Sequence, residues 1–512
     1  MGKKRFYITS PLYYVNADPH IGHAYTEIAC DCIARYERMK GKEVFFLTGT
    51  DEHGQKILRS AEDNGKAPID FVDSVVPKFK DLWKGLSISY DDFIRTTEKR
   101  HVDTVQKVLA TLYKKGDIYQ DEYKGFYCTP CETFWPKMQL EDGLCPDCKH
   151  KVEEISETNY FFKLSKYQDW LKNYIKETPG FISPGFRRNE VLGYLEEPLN
   201  DLCISRPNTR LSWGINIPFA QDHVTYVWFD ALINYISGCG WGSDDKKFKE
   251  CWPCDFHVIG KDILRPHAVY WPIMLHALGV ELPKTIFAHG WWMMGGSKMS
   301  KSKGNVIDPF EIIEKYGQNA FRYFLLREVT FGLDGTFSEE VFITRFNGDL
   351  ANDLGNLLNR TLTMVEKYFD GVVPEEGDMD EQDKALDDKL KGLPAKIDKF
   401  LPELNFNQSL ISVWEVINIA NKHIEVSKPW QLAKENKIER LKALMHILLK
   451  VLSYSALYIY PFMPGCSLEM IKQLGLDIKE KDITFDRLRS GLLKPGTKIN
   501  KGSPIFPRID SN

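Results

Sequence analysis

Arg5-Phe6-Tyr7-Ile8-Thr9-Ser10-Pro11 is a short β-branched and aromatic run, and Pro19-His20-Ile21-Gly22-His23 follows it closely. Beyond these, Ile28, Ala29, Cys32, Ile33 and Tyr36 keep helical spacing up to a second strand-like run at residues 43–48. This is the pattern of a β-α-β unit. A second set appears far downstream, where strand-like runs at residues 256–259 and 285–288 flank a helical stretch at 266–278. The spacing therefore predicts an α/β fold with a parallel sheet split into two halves.

Between the halves, residues 115–222 turn rich in Cys, Pro and aromatics, as expected of a domain inserted at a loop. From residue 346 the strand signal ends, and Leu441, Leu444, Ile447, Leu448, Val451 and Leu452 mark one face of a long helix in a helical bundle. The acidic stretch 371–382 reads as an exposed connection. The expected organisation is a first half of the split α/β domain over 1–114, an insertion over 115–222, a second half over 223–292, a loop and contact region over 293–345, and a helical domain over 346–512. At 512 residues, a prior of roughly 150 per domain also gives several units.

The 67 Lys+Arg and 71 Asp+Glu leave a net charge of −4, so a polyanionic partner must meet local basic patches rather than a bulk positive field. With 43% hydrophobic and 27% charged residues the composition excludes a disordered chain. No uninterrupted apolar run approaches the roughly 18 residues of a membrane span, and no signal segment precedes Phe6. The expectation is a cytoplasmic protein that does not enter a membrane.

Eleven cysteines, an odd number partly arranged as C-x-x-C, point to metal ligation and buried thiols rather than disulfides. Cys128-x-x-Cys131 and Cys145-x-x-Cys148 form a set of four thiolates with no open position for water, which predicts one structural zinc. Cys251 and Cys254 lack two further ligands nearby and read as plain thiols.

Pro19-His20-Ile21-Gly22-His23 stands at a strand-to-helix junction. The helix N-terminus, Gly22 and two imidazoles there offer donors for a polyphosphate. Downstream, Gly295-Gly296-Ser297-Lys298-Met299-Ser300-Lys301-Ser302-Lys303-Gly304 sets lysines and serines on a glycine-flanked loop. One motif in each half of a split α/β domain resembles the paired signatures of class I aminoacyl-tRNA synthetases. Four further stretches resemble the methionyl-tRNA synthetase family within that class: residues 11–16, 48–54, 226–231 and 427–430.

The resemblance implies a Rossmann-type catalytic domain, a connective insertion with the zinc knuckle, and an anticodon-binding helical bundle. It implies ATP-dependent activation of L-methionine to methionyl adenylate and transfer to the terminal adenosine of initiator and elongator tRNA(Met), with Mg²⁺ accompanying ATP. A methionine pocket is implied at Leu12, Tyr14, Asp51, Arg206, Trp228, Ala231, Tyr235, Ile263 and His267, with Asp51 at the ammonium. On spacing alone, Trp228 and Tyr235, seven residues apart, read as a helix core stripe in preference to a pocket wall. ATP is implied at His20, Gly22, His23, Gly260, Asp262, Lys298 and Lys301; of these His20, His23, Lys298 and Lys301 carry the catalytic roles. Asn356, Arg360 and Trp430 match anticodon-reading positions, although Pro429-Trp430 also reads as a helix start with a core Trp. Synthetases for leucine, isoleucine or valine carry a large editing domain, for which this insertion is too short. The expected state is a monomer.

Overall fold

The computed structural model describes residues 5–128, 133–135, 137–294, 297–298, 307–486 and 493–510. At its centre β1 (Arg5–Tyr14) leads through α1 (Ile21–Met39) to β2 (Glu43–Asp51), and β3 (Asp92–Arg95) pairs beyond β2. On the other side of β1 lie the strands Phe256–Gly260, Thr285–His289 and Ile182–Ser183, giving a six-stranded sheet whose pairings are all parallel. The strand order reverses between β1 and Phe256–Gly260. A ligand crevice is expected at such a switch point, outside the carboxyl ends of the strands. Gly49 in β2 is required by close approach, since a Cβ there would lie 1.9 Å from the Ile94 carbonyl oxygen of β3.

The intervening segment forms a four-stranded antiparallel sheet ordered Thr133–Trp135, Ile118–Cys128, Glu153–Phe162 and Leu202–Cys203. It is not wholly outside the central sheet, because Ile182–Ser183 returns to form that sheet's edge. A two-residue strand is too short to show a period in sequence.

The helices Asn356–Phe369, Glu381–Phe400, Phe406–Ser427, Ile438–Tyr458 and Pro464–Gln473 build the C-terminal bundle. The predicted face of Ile438–Tyr458 is buried at all six positions. By length and composition this helix would pass for a membrane span, yet 78% of its apolar window is buried inside the protein. The stretch after Phe369 departs from the exposed connection expected: Val373 is 1% exposed, and its amide donates to the Thr497 carbonyl. The chain's end runs back beside it and covers it.

One cluster of buried charge joins the central sheet to the bundle. Asp31 of α1 accepts from Arg35 Nε at 2.9 Å, from Arg322 Nη2 at 2.7 Å and from both the amide and hydroxyl of Ser89. Arg322 also donates to the carbonyls of Leu86, Pro461 and Phe462, while Arg35 reaches the Tyr460 hydroxyl at 2.8 Å. Burial would raise the Asp31 carboxyl, but Arg35, Arg322 and Ser89 outweigh it and hold it at about 2.

Removing one partner strands the remaining buried groups, so Arg322→Met is expected to lower stability by about 3–5 kcal/mol in urea unfolding. Because the Asp31 value is depressed from 3.8 to about 2, its stabilisation of about 2 kcal/mol is complete above pH 4 and lost as pH falls towards 2. The urea midpoints of wild type and Asp31→Asn should therefore converge over that window.

Candidate active site

At the mouth of α1 the two signature histidines cap the helix and each other. His20 Nδ1 accepts from the Gly22 amide at 3.1 Å, and His23 Nδ1 accepts from the His20 amide at 3.1 Å. The rings stack with centroids 3.8 Å apart. An accepting Nδ1 places the proton of a neutral ring on Nε2, so the cap fixes the tautomer of both histidines. Gly22 has a role the sequence reading missed: a Cβ there would lie 2.9 Å from His20 Cε1, so it makes room for the ring. Thr26, one turn further along α1, bonds His289 Nε2 at 2.8 Å and ties the helix to the strand Thr285–His289.

Across the carboxyl ends of β1 and β2 opens a cavity of about 290 Å³. Of the nine residues expected in an amino-acid pocket, Leu12, Tyr14, Asp51, Trp228, Ala231, Tyr235, Ile263 and His267 line it. Tyr14 and Asp51 face each other as register partners on β1 and β2. Asp51 is 7% exposed. The turn behind it is clamped: Glu52 binds Arg95 through both carboxylate oxygens, and its carbonyl accepts from Trp213 Nε1 at 2.6 Å. Trp228 is half-buried and lines the cavity. Tyr235 is 1% exposed and belongs both to the core and to the cavity wall, so the two readings of that stripe meet in one residue.

The inner end is apolar and neutral. Tyr235 donates its hydroxyl to His267 Nε2 at 2.8 Å, and His267 Nδ1 donates to the Ile263 carbonyl at 2.8 Å. Burial pushes His267 down to about 4, so the ring is uncharged near neutrality. The segment Pro266–Tyr270 that carries it is a π-helical turn.

Arg206 is not on this wall. Its guanidinium stacks over Tyr226 and Tyr127 and donates to the Ser205 carbonyl at 2.7 Å. Lys56, Val227, Leu232 and Asn234 line the cavity without having been expected there. For Leu232 the signal was present, four residues beyond Trp228 on the same helix.

Gly260 ends the strand next to β1, and Asp262 follows it at the cavity rim, where its Oδ1 accepts from Trp291 Nε1 at 3.2 Å. A Cβ at Gly260 would lie 2.6 Å from that oxygen, so any larger residue there would have to displace the Asp262 carboxylate. Lys298 lies on the short strand Ser297–Lys298, antiparallel to Trp292–Met294, whereas Lys301 falls outside the described residues.

In the insertion, Cys128, Cys145 and Cys148 bring their sulfurs within 4.8 Å of one another, and Cys131 falls outside the described residues. Cys128 and Cys148 sulfurs are 3.3 Å apart. Thiolates on a tetrahedral zinc at about 2.3 Å stand about 3.8 Å from each other, so this donor set fits zinc. Asp380, Asp383 and His423 also cluster, but Arg440 already binds both carboxylates. In the bundle Asn356 is exposed, and Arg360, one turn on, pairs with Glu425 at 2.5 Å. Trp430 begins the helix Pro429–Lys434 and is 49% exposed, so it is not a core residue.

A parallel sheet in two halves, with a His-x-Gly-His cap on one half and Lys-Met-Ser-Lys-Ser after the other, defines a class I aminoacyl-tRNA synthetase. The family described as class I tRNA synthetases (M) matches residues 6–157 and 149–362, and the anticodon binding domain of methionyl tRNA ligase matches residues 373–512. The chain belongs to the methionine–tRNA ligase family. It is 51% identical over 510 residues to the methionine–tRNA ligase of Caldanaerobacter subterraneus subsp. tengcongensis, covering 99% of this chain and 79% of that protein. Identity to the Clostridium acetobutylicum methionine–tRNA ligase is 50%, covering 99% of this chain and 79% of that one. Mycobacterium tuberculosis methionyl-tRNA synthetase in complex with methionyl-adenylate superposes with a TM-score of 0.95 at 41% identity, covering 99% of this chain and all of that one.

The thiolate set leads to a prediction. The purified protein should carry about one zinc, Cys145→Ser should lose it, and a cobalt-substituted sample should show an absorption spectrum unmoved by methionine.

Proposed function

We propose that this chain is a methionine–tRNA ligase that makes methionyl adenylate at the switch-point crevice and passes the methionyl group to tRNA(Met). The observation that carries this is the cavity itself: an apolar, uncharged end at Tyr235, Ile263 and His267 joined to one buried carboxylate, Asp51, at the ends of two paired strands. A thioether suits the first and an ammonium the second.

With the ammonium at Asp51, the substrate carboxylate is directed towards the His20–His23 cap. There it attacks the α-phosphate of ATP, which enters as its Mg²⁺ complex, and pyrophosphate leaves. The Nε2–H groups of His20 and His23 donate to phosphate oxygens, Asp262 accepts from the ribose, and Lys298 and Lys301 neutralise the departing charge. The terminal adenosine hydroxyl of the tRNA then attacks the activated carbonyl and releases AMP. No side chain becomes covalently attached in either step; the residues position and stabilise. When bound, zinc at Cys128, Cys131, Cys145 and Cys148 supplies a structural cross-link. Asn356, Arg360 and Trp430 offer edge donors and a stacking plane to an unpaired anticodon base.

ATP–pyrophosphate exchange measured with each of the twenty amino acids should respond to methionine; exchange driven by another amino acid would reject the reading. Asp51→Asn should raise the methionine KM about 100-fold, the scale of about 3 kcal/mol for breaking a buried charge pair, with the ATP KM little changed. Trp430→Ala should weaken tRNA aminoacylation by about 1–3 kcal/mol while leaving exchange at the wild-type rate.

A further inference from the structure

Behind the cavity wall lies a set of ionisable side chains to which the proposed reaction gives no role. Asp230 is fully buried, and its two carboxylate oxygens each meet a histidine: Oδ2 meets His53 Nδ1 at 2.7 Å, and Oδ1 meets His101 Nε2 at 2.7 Å. His101 is also fully buried and His53 is 5% exposed. His101 Nδ1 lies 3.1 Å from Ser237 Oγ.

These contacts join four segments of the chain. Asp230 sits on the helix Val227–Leu232, between Trp228 and Ala231 of the wall. His53 follows Asp51 by two residues, on the turn that leaves β2. Ser237 ends the short helix Asn234–Ser237 that carries Tyr235, and His101 comes from the helix Lys99–Lys114 packed behind.

We propose that Asp230 is a positioning residue that fixes the Asp51 turn against the pocket helix through His53, and so sets where the substrate ammonium is held. A carboxylate is the group the geometry demands. It accepts from two ring N–H donors at once, whereas an amide would turn its own N–H towards one of them. Burial would raise the Asp230 carboxyl, but His53 and His101 outweigh it and hold the group ionised below its usual range. The anchor therefore stays charged across the neutral range, and the turn carrying Asp51 is held from both flanks: by Glu52 with Arg95 on one, by His53 with Asp230 on the other.

This inference rests on the reading that the cavity holds methionine with its ammonium at Asp51. Methionine-dependent exchange by the wild-type chain tests that reading separately. Asp230→Asn and His53→Gln are then compared in the full-length protein for three quantities: methionine KM, ATP KM, and inhibition by 4-(methylthio)butanoate, which is methionine without its ammonium. The expected result is a methionine KM raised tenfold or more in both variants, with ATP KM and the inhibition constant of the deamino compound within twofold of wild type. Equal weakening of methionine and the deamino compound would mean that the network merely props up the wall and would overturn the proposal. An unchanged methionine KM would also overturn it. If Asp230→Asn does not accumulate as folded protein, His53→Gln, which leaves Asp230 bound to His101, decides between the same outcomes.

Discussion

A carboxylate buried between two guanidinium groups holds the molecule's two largest parts in one relation. Asp31, Arg35 and Arg322 lie almost out of reach of solvent, and Arg322 donates further to the backbone carbonyls of Leu86, Pro461 and Phe462. Such a set is stable only when complete, because each partner removed leaves an uncompensated charge in a medium of low polarity. Asp31 is on α1, whose first turn carries the two signature histidines, while Tyr460, Pro461 and Phe462 belong to the bundle. The helix that begins at the His20–His23 cap is thereby fixed at its middle to the C-terminal bundle.

The crevice obeys the same rule of completed pairs at smaller scale. At one end burial keeps Tyr235 and His267 uncharged, while their hydrogen bonds close on each other and on a carbonyl, which suits a weakly polar sulfur side chain. Its other end keeps the buried carboxylate of Asp51 at the carboxyl end of β2. The contrast between the two ends is produced by strand geometry: Tyr14 and Asp51 are neighbours because β1 and β2 pair in parallel and end together.

Much of this was legible in the chain. The β-α-β spacing around residues 5–48 gave the parallel sheet, and the six apolar positions of Ile438–Tyr458 gave the core face of a bundle helix. The residues expected around an amino-acid pocket line one cavity because most follow a strand end or recur at helical spacing. Arg206 is the exception, and its aromatic partner Tyr127 lies far from it in sequence, so no local pattern could reveal that contact. The His53–Asp230–His101 set was illegible for the same reason, since its members are brought together only by tertiary packing. The strand Ile182–Ser183 has two residues and no period to detect, and the burial of Val373 depends on a segment more than a hundred residues away.

The mutual cap of His20 and His23 carries an evolutionary consequence. Whatever replaces His20 must still accept from the Gly22 amide, and whatever replaces His23 must still accept from the His20 amide, while each also keeps a second ring nitrogen as a donor. Few side chains satisfy both demands, and the 2.9 Å clearance at Gly22 ties a third position to the same ring. Sequence drift at this tetrapeptide therefore meets a mutational valley: single steps break the cap, and only concerted changes cross it. The three positions should behave as one inherited unit whose epistasis is set by two hydrogen bonds and one missing methyl group.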